Sequence, residues 1–491
     1  MIARFALAAT AAFAMTVSAS AQRTDLTLGM VLEPPHLDPT AGAAAAIDEV
    51  VYANVFEGLT RIASDGAVQP GLAENWVISD DGLTYTFELR EGVTFHDGTT
   101  LDAGDVVFSL DRARGEASVN AQKALFEPIE NVEQMDELTV EITLSRPAGD
   151  FLYNMGWGDA VIVAPESAET NKENPVGTGP FRFAEWQKGA AVTLERFDGY
   201  WGEAPALEQV TIRFIPDPAA ATAALLAGDV QAFPNLPTPE SIPQFEADPR
   251  FEVVIGSTEG ETILSTNNAK APFDDIRVRQ AIAHAIDRQA IIDGAMFGLG
   301  TPIGSHFAPH HPAYMELVET YPYDPERARE LLAEAGHGEG ISATLKLPPP
   351  SYARRGGEVI AAQLREVGID LEIIPVEWAQ WLDQVFTNTD YDLTIVSHTE
   401  PNDIGIYARE DYYFNYDNDD FDAVIDELSV TAGEDARYEL FRTAQQIIAE
   451  DAVNGYLFQL PKNGVWDARL EGLWENSPVQ ANDVTGVRWT E

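Results

Sequence analysis

The chain has 491 residues with no cysteine, 30 Lys and Arg against 80 Asp and Glu, and a formal net charge of −50 at pH 7. Without cysteine there is no disulfide framework, no thiol nucleophile and no lipid-anchoring cysteine behind a leader. Acidity spread along the whole chain repels nucleic acid and anionic membrane surfaces, and as a solubility or salt-tolerance trait it says little about a ligand's charge.

In chain order, Arg4, the apolar residues 5–17 and Ala19-Ser20-Ala21 ahead of Gln22 predict a cleavable secretory signal over residues 1–21. Its apolar run is too short to span a bilayer, and no later segment approaches the ~18 consecutive apolar residues that a span needs. The expected location is a periplasm, free rather than lipid-anchored. Residues 27–31 predict the first strand after the signal. Tyr85, Phe87 and Leu89 alternate with polar neighbours at the two-residue period of a half-buried strand. A second short strand is expected from Val93 to Phe95, stopping at Asp97-Gly98, and then a helix with Ala103, Val106, Val107 and Leu110 on one face and Asp102 as its cap.

Further strands are predicted at 138–144, 192–194, 210–214 and 369–373, and helices at 219–227, ended by Gly228, and 278–286, with Asp274 or Asp275 near its start. Prolines at 216–218, 234–243 and 348–350 mark turns or rigid loops. At this length the chain is expected to divide into two or three domains of α/β character. The acidic run from Asp417 to Asp422 lacks the glycine of a calcium loop and reads as a capped helix start, with Phe421, Val424, Ile425 and Leu428 as the buried stripe.

No His-Glu-x-x-His, no phosphate-cradling glycine loop and no nucleophile elbow is present, so no enzymatic constellation is found. His306, His310 and His311 lie close together, but His310-His311-Pro312 does not offer two imidazoles on one helix face. They are expected to be surface loop histidines, with no metal or cofactor.

Residues 70–114, then Gly177-Thr178-Gly179-Pro180-Phe181, Tyr200-Trp201, Val278-Arg279-Gln280-Ala281 with Ala285-Ile286-Asp287-Arg288, and Tyr323-Asp324-Pro325-Glu326 with Leu331 to Gly336 form an ordered set of blocks. Together they resemble the extracytoplasmic solute-binding proteins, family 5, that feed peptide, opine and nickel ABC importers. The resemblance implies an α/β, two-lobed periplasmic-binding-protein fold. Its first lobe would span 22–258 plus 468–491 with an extra subdomain inserted at 56–170, and its second lobe 259–467. It implies a monomeric receptor that is not an enzyme, captures a peptide-like or other small polar solute between the lobes and delivers it to an inner-membrane ABC permease. The alternatives are a periplasmic sensor or chaperone subunit of the same fold, or a nickel- or haem-binding member of the family.

A ligand held between lobes is met by loops at strand ends. The candidates are Glu33 and His36 after the first strand, Trp157 in a glycine-flanked loop, Tyr352 and Arg354 after the triple proline, Trp378 and Trp381 after residues 373–376, and His398, Glu400 and Asp403 after residues 393–395. The arginine suits a ligand carboxylate, although at least one of Arg354 and Arg355 is expected to be a solvated surface residue. The tryptophans read either as an aromatic wall or as ordinary packing at a helix start. In the family's peptide binders, an aspartate ahead of an acidic-Pro pair grips the ligand's free amine; here Ser397-His398 precedes Glu400-Pro401, leaving Glu400 or Asp403 as the replacement.

Overall fold

A computed structural model describes residues 23–490 apart from 43, 401, 411 and 432; the predicted signal lies outside the described residues. An eleven-stranded sheet runs through the molecule. Its two central members are Phe251–Thr266 and Asn454–Asp467, 16 and 14 residues long, and they pair antiparallel from Phe251↔Asp467 to Ser265↔Asn454. Both are far longer than the usual strand of about 5–6 residues, which lets them serve two cores.

On one side of this pair lie Ala232–Phe233, Asp25–Met30, Gln209–Phe214, Ala191–Arg196 and Phe181–Gln187, in that order. Leu26, Leu28 and Met30 turn into a core with Val210, Ile212, Val192 and Leu194, as the alternation of these strands demands. On the other side lie Leu393–His398, Ile341–Leu347 and Ile369–Pro375, the last two parallel and joined by the helix Ser351–Glu366. That helix buries Ile360 and Leu364 against Leu345, Leu347 and Ile369.

Where the sequence predicts Tyr85, Phe87 and Leu89 as one face of a strand, Thr84–Leu89 buries all three in a four-stranded antiparallel sheet. The helix Ala103–Arg114 covers this sheet, opened by Asp102, whose side chain accepts from the Gly104 N–H while Asp105 reaches back to the Asp102 N–H. The expected strand at Val93 to Phe95 is not formed. Thr94 makes only an isolated bridge to Thr100, because Phe95 N–H already closes a tight turn onto Thr99 O. Gly228 ends the helix Pro218–Ala227 at φ 77°, the left-handed geometry that favours glycine.

The sequence blocks around Thr178 and Tyr200-Trp201 meet at one buried carboxylate. Glu57, 6% exposed, accepts hydrogen bonds from Thr178 Oγ1 (2.9 Å), Trp201 Nε1 (2.9 Å) and Tyr200 OH (3.0 Å). Burial pushes its carboxyl up and the three donors pull it back. Removing the acceptor strands all three donors, so Glu57→Ala is expected to lower unfolding stability by about 3 kcal/mol, read from urea midpoints. A loss below about 1 kcal/mol would contradict this anchoring role.

Candidate functional site

The pairing of the two long strands breaks where Ser257↔Pro461 gives way to Glu261↔Gln459, so the first strand carries extra residues there. Such a bulge bends the strand and re-aims its side chains. Thr258 Oγ1 fixes its shape by donating to Leu460 O (3.0 Å) and accepting from Gly260 N–H (3.0 Å). A Cβ on Gly260 would lie 2.8 Å from the Leu460 side chain and 3.0 Å from Ser397 Oγ, a close approach suited to glycine. The consequence is that two carboxylates, Glu259 and Glu261, are buried at 8% and 3% exposure where the two halves of the sheet meet.

Glu259 has a partner: its Oε1 lies 2.6 Å from His310 Nε2, and His310 Nδ1 lies 2.6 Å from Ser257 Oγ. Glu261 is only partly satisfied, since its buried Oε2 has no hydrogen-bond partner among the described residues. Burial pushes the Glu261 carboxyl well up, and the charges of Glu259, Asp403 and Glu400 add to the push. Thr262 Oγ1, Ser397 Oγ, Gln459 Oε1 and Asn463 Oδ1, on the same or adjoining strands, are also buried without partners. Buried polar atoms are ordinarily satisfied; of these residues, Glu261 and Gln459 pair directly across the ladder, and Thr262 and Ser397 pair on the next position, facing the other side of the sheet.

Beside it, His306 Nε2 lies 2.8 Å from Asp403 Oδ1, and His398 Nδ1 lies 3.6 Å from Asp403 Oδ2. Burial opposes the charge on Asp403, but the two imidazoles outweigh it and hold the carboxyl well below the usual range. Burial in turn favours neutral His306. The expectation of surface histidines is therefore corrected. His306 is 1% exposed, the His310 side chain 3%, and His311 packs edge-on against Phe307 at 4.7 Å, with burial pushing its imidazole down to about 3. The loop holding them is folded over an aromatic core that includes Phe307, Tyr407, Tyr413 and Phe441.

From the other half of the molecule, burial raises the Tyr153 hydroxyl well above the ordinary range, and the charge of Glu259 adds to it. Half-buried Trp157 has a buried Nε1 that acts as a hydrogen-bond donor toward the Tyr153 hydroxyl. Burial pushes the Asp48 carboxyl well up and the charge of Asp159 adds to it, and each of the two has a buried, unpartnered oxygen. Glu49 faces Lys462, whose ammonium burial lowers to about 8. Acidic groups thus come from both halves of the molecule.

The structure brings His398, Asp403 and Trp157 toward this region. Exposed Glu400 acts electrostatically on Glu261 but takes only the Thr399 N–H within its own loop (3.2 Å). Tyr352 OH accepts from Ser397 N–H at 3.2 Å, while Arg354 donates to Val376 O and Glu377 Oε1 and keeps a buried, unpartnered Nε. Trp381 is core: 4% exposed, its Nε1 donates to Thr394 Oγ1 at 2.9 Å. Trp378 stands 42% exposed, edge-on to it. Glu33 is occupied on the far side of the sheet, accepting from Trp186 Nε1 (3.0 Å) and Gly189 N–H (2.8 Å). His36 Nδ1 accepts from the Asp38 N–H at 3.3 Å, and burial lowers its basicity. Glu259 and Glu261 were missed by sequence reasoning; the signal was a glycine flanked by two glutamates within a β-patterned run, the mark of a bulge.

Two lobes sharing a pair of crossing strands, with an unsatisfied polar patch where they meet, define a solute-binding protein of the periplasmic type. The chain belongs to the family described as bacterial extracellular solute-binding proteins, family 5 Middle, which matches residues 67–420. It is 30% identical over 482 residues to the dipeptide-binding protein of Escherichia coli strain K12, covering 89% of this chain and 90% of that protein. Heme-binding protein A of Haemophilus influenzae is 31% identical over 433 residues, 78% of each chain. Among solved structures, HbpA2 from Haemophilus parasuis superposes with a TM-score of 0.88 at 25% identity, over 95% of this chain and all of that one. DppA from Helicobacter pylori, in complex with peptide STSA, gives 0.77 at 26% identity, over 96% and 99%. Members of this family are the substrate-binding components of ABC importers.

Burial pushes the Asp159 carboxyl from its ordinary 3.8 up to about 7. Between those values the unfolded chain has lost this proton and the folded chain keeps it, so stability falls as pH rises through the window. The contribution is fully present below the unfolded value. Asp159→Asn is expected to exceed the wild type in stability by about 2–4 kcal/mol at pH 8, with the gap closing toward pH 4. Urea unfolding at several pH values checks this, and a pH-independent gap would contradict it.

Proposed function

We propose that the chain is a monomeric periplasmic receptor that captures a small solute carrying an ammonium or guanidinium group and delivers it to an ABC permease without chemical change. The observation that carries this reading is the buried Glu261 carboxyl, with an unpartnered oxygen and three other carboxylates, Glu259, Asp403 and Glu400, as the charged groups acting on it. A cation beside it restores the charged form, and a charge-assisted hydrogen bond there is among the stronger polar anchors. The peptide-like class is favoured because peptides offer such an amine, and the E. coli relative is a dipeptide-binding protein. The same acid excess works against a solute whose only charges are carboxylates, and the haem alternative is supported by the likeness to heme-binding protein A of Haemophilus influenzae.

On this reading the first lobe spans 22–258 plus 468–491 with a subdomain inserted at 56–170, the second spans 259–467, and a signal over 1–21 directs export. Ligand contacts from both lobes stabilise the closed form. Micromolar capture needs about −8 kcal/mol, within reach of a few charged hydrogen bonds and one aromatic contact.

Native mass spectrometry of the protein taken from its own periplasm is expected to show a bound solute with a basic nitrogen. Glu261→Gln is expected to bind that solute at least about tenfold more weakly, equivalent to ~1.4 kcal/mol, while unfolding at the same or a higher temperature. Unchanged affinity, or a retained solute without a basic group, would contradict the reading.

A further inference from the structure

We propose that His306, His398 and Asp403 form a binding site for a borderline divalent transition ion of the Zn2+ or Ni2+ class in the wall of the second lobe. Three different pieces of chain deliver the ligands. His306 comes from the loop folded over the aromatic core, His398 ends the strand Leu393–His398, and Asp403 opens the short helix Asp403–Ala408. One ligand atom from each lies within 4.8 Å of the others.

The orientation of the imidazoles is the second observation. His306 turns Nε2 to Asp403 Oδ1 and places Nδ1 3.2 Å from Tyr407 OH, which also accepts from Asn454 Nδ2 at 3.0 Å. His398 has the opposite tautomeric sense, with Nδ1 facing Asp403 Oδ2 and Nε2 3.0 Å from Tyr413 OH. Each ring therefore has its outer nitrogen held by a tyrosine hydroxyl and its inner nitrogen aimed at a different oxygen of one carboxylate. A metal-binding histidine is oriented in this way, through a hydrogen bond on the nitrogen it does not use. The rings stand 5.0 Å apart and 62° from parallel, so neither blocks the other.

Distances suit a small ion. Bonds of about 2.0–2.2 Å put tetrahedral donor atoms about 3.3–3.6 Å apart. The His398–Asp403 separation of 3.6 Å already meets this, and the His306–Asp403 contact of 2.8 Å needs only a modest opening as the ion replaces the shared proton. Two imidazoles with one carboxylate select Zn2+, Ni2+ or Cu2+ over Mg2+ and Ca2+, which prefer all-oxygen shells. Charge favours it as well, because Glu261 is the cross-strand partner of His398 and its buried carboxyl lies within the field of Asp403 and Glu400. Three protein ligands leave a fourth position for water or a donor atom of the solute. Asp403, with 14% of its side chain exposed, is the open side.

The test is a titration of chelator-treated, solute-free protein with Zn2+ by calorimetry and with Co2+ by visible absorption. One equivalent is expected to bind, with the intense d–d bands of a low-coordinate Co2+ site. His398→Gln and Asp403→Asn are each expected to weaken Zn2+ binding at least tenfold and to abolish those bands, and His337→Gln to change neither. No stoichiometric uptake by the wild type overturns the site, as does wild-type affinity in both His398→Gln and Asp403→Asn. A retained Co2+ spectrum in either folded variant also overturns it. No solute or permease enters the titration, so its failure would leave the importer reading untouched.

Discussion

The antiparallel pairing of Phe251–Thr266 with Asn454–Asp467 is the constraint from which the rest of the arrangement follows. A backbone ladder running continuously through both halves fixes how the lobes connect, since breaking it would leave buried N–H and C=O groups unpaired. The ladder shifts register at two places, between Ser257 and Glu261 and between Thr262 and Ile263, and the first of them carries the buried polar side chains Ser257, Glu259 and Glu261. The break in the ladder and the buried carboxylates therefore share the same few residues, and in a binding protein such a place can couple ligand contact to closure.

The cost of this arrangement is local. Burying Glu261 with an unpartnered oxygen and placing Asp48 beside Asp159 both work against folding, while the Glu57 hub and the hydrophobic cores on either side of the long strands work for it. Functional sites commonly hold such destabilised groups, because a ligand that completes them gains what the empty fold gives up. His306, His398 and Asp403 differ from Glu261 in being satisfied by one another, so that cluster stands preformed whether or not anything occupies it.

Much of this was legible in the sequence where periodicity is strong. The strand at Thr84–Leu89, the helix capped by Asp102 and the glycine stop at Gly228 follow from local rules, and the ordered blocks identified the family. The physical reason for two of those blocks was hidden, because Thr178, Tyr200 and Trp201 meet only through Glu57, more than a hundred residues away. The site was less readable. Residues in irregular segments carry no face assignment, so His306 and His310 read as surface residues although tertiary packing buries them. Glu259 and Glu261 went unnoticed because a carboxylate within a β-patterned run reads as its solvent side, and only the bulge turns it inward.

Closure about the crossing strands is the claim on which the functional account rests, and the absence of native cysteine makes it directly measurable. Spin labels on Glu133→Cys and Glu358→Cys, exposed positions on the two lobes, would report the distance between them without background labelling. Adding the solute recovered from the periplasm is predicted to shorten that distance and narrow its distribution, and Glu261→Gln to blunt the change at the same solute concentration. A distance distribution that stays the same with saturating solute bound would contradict the account.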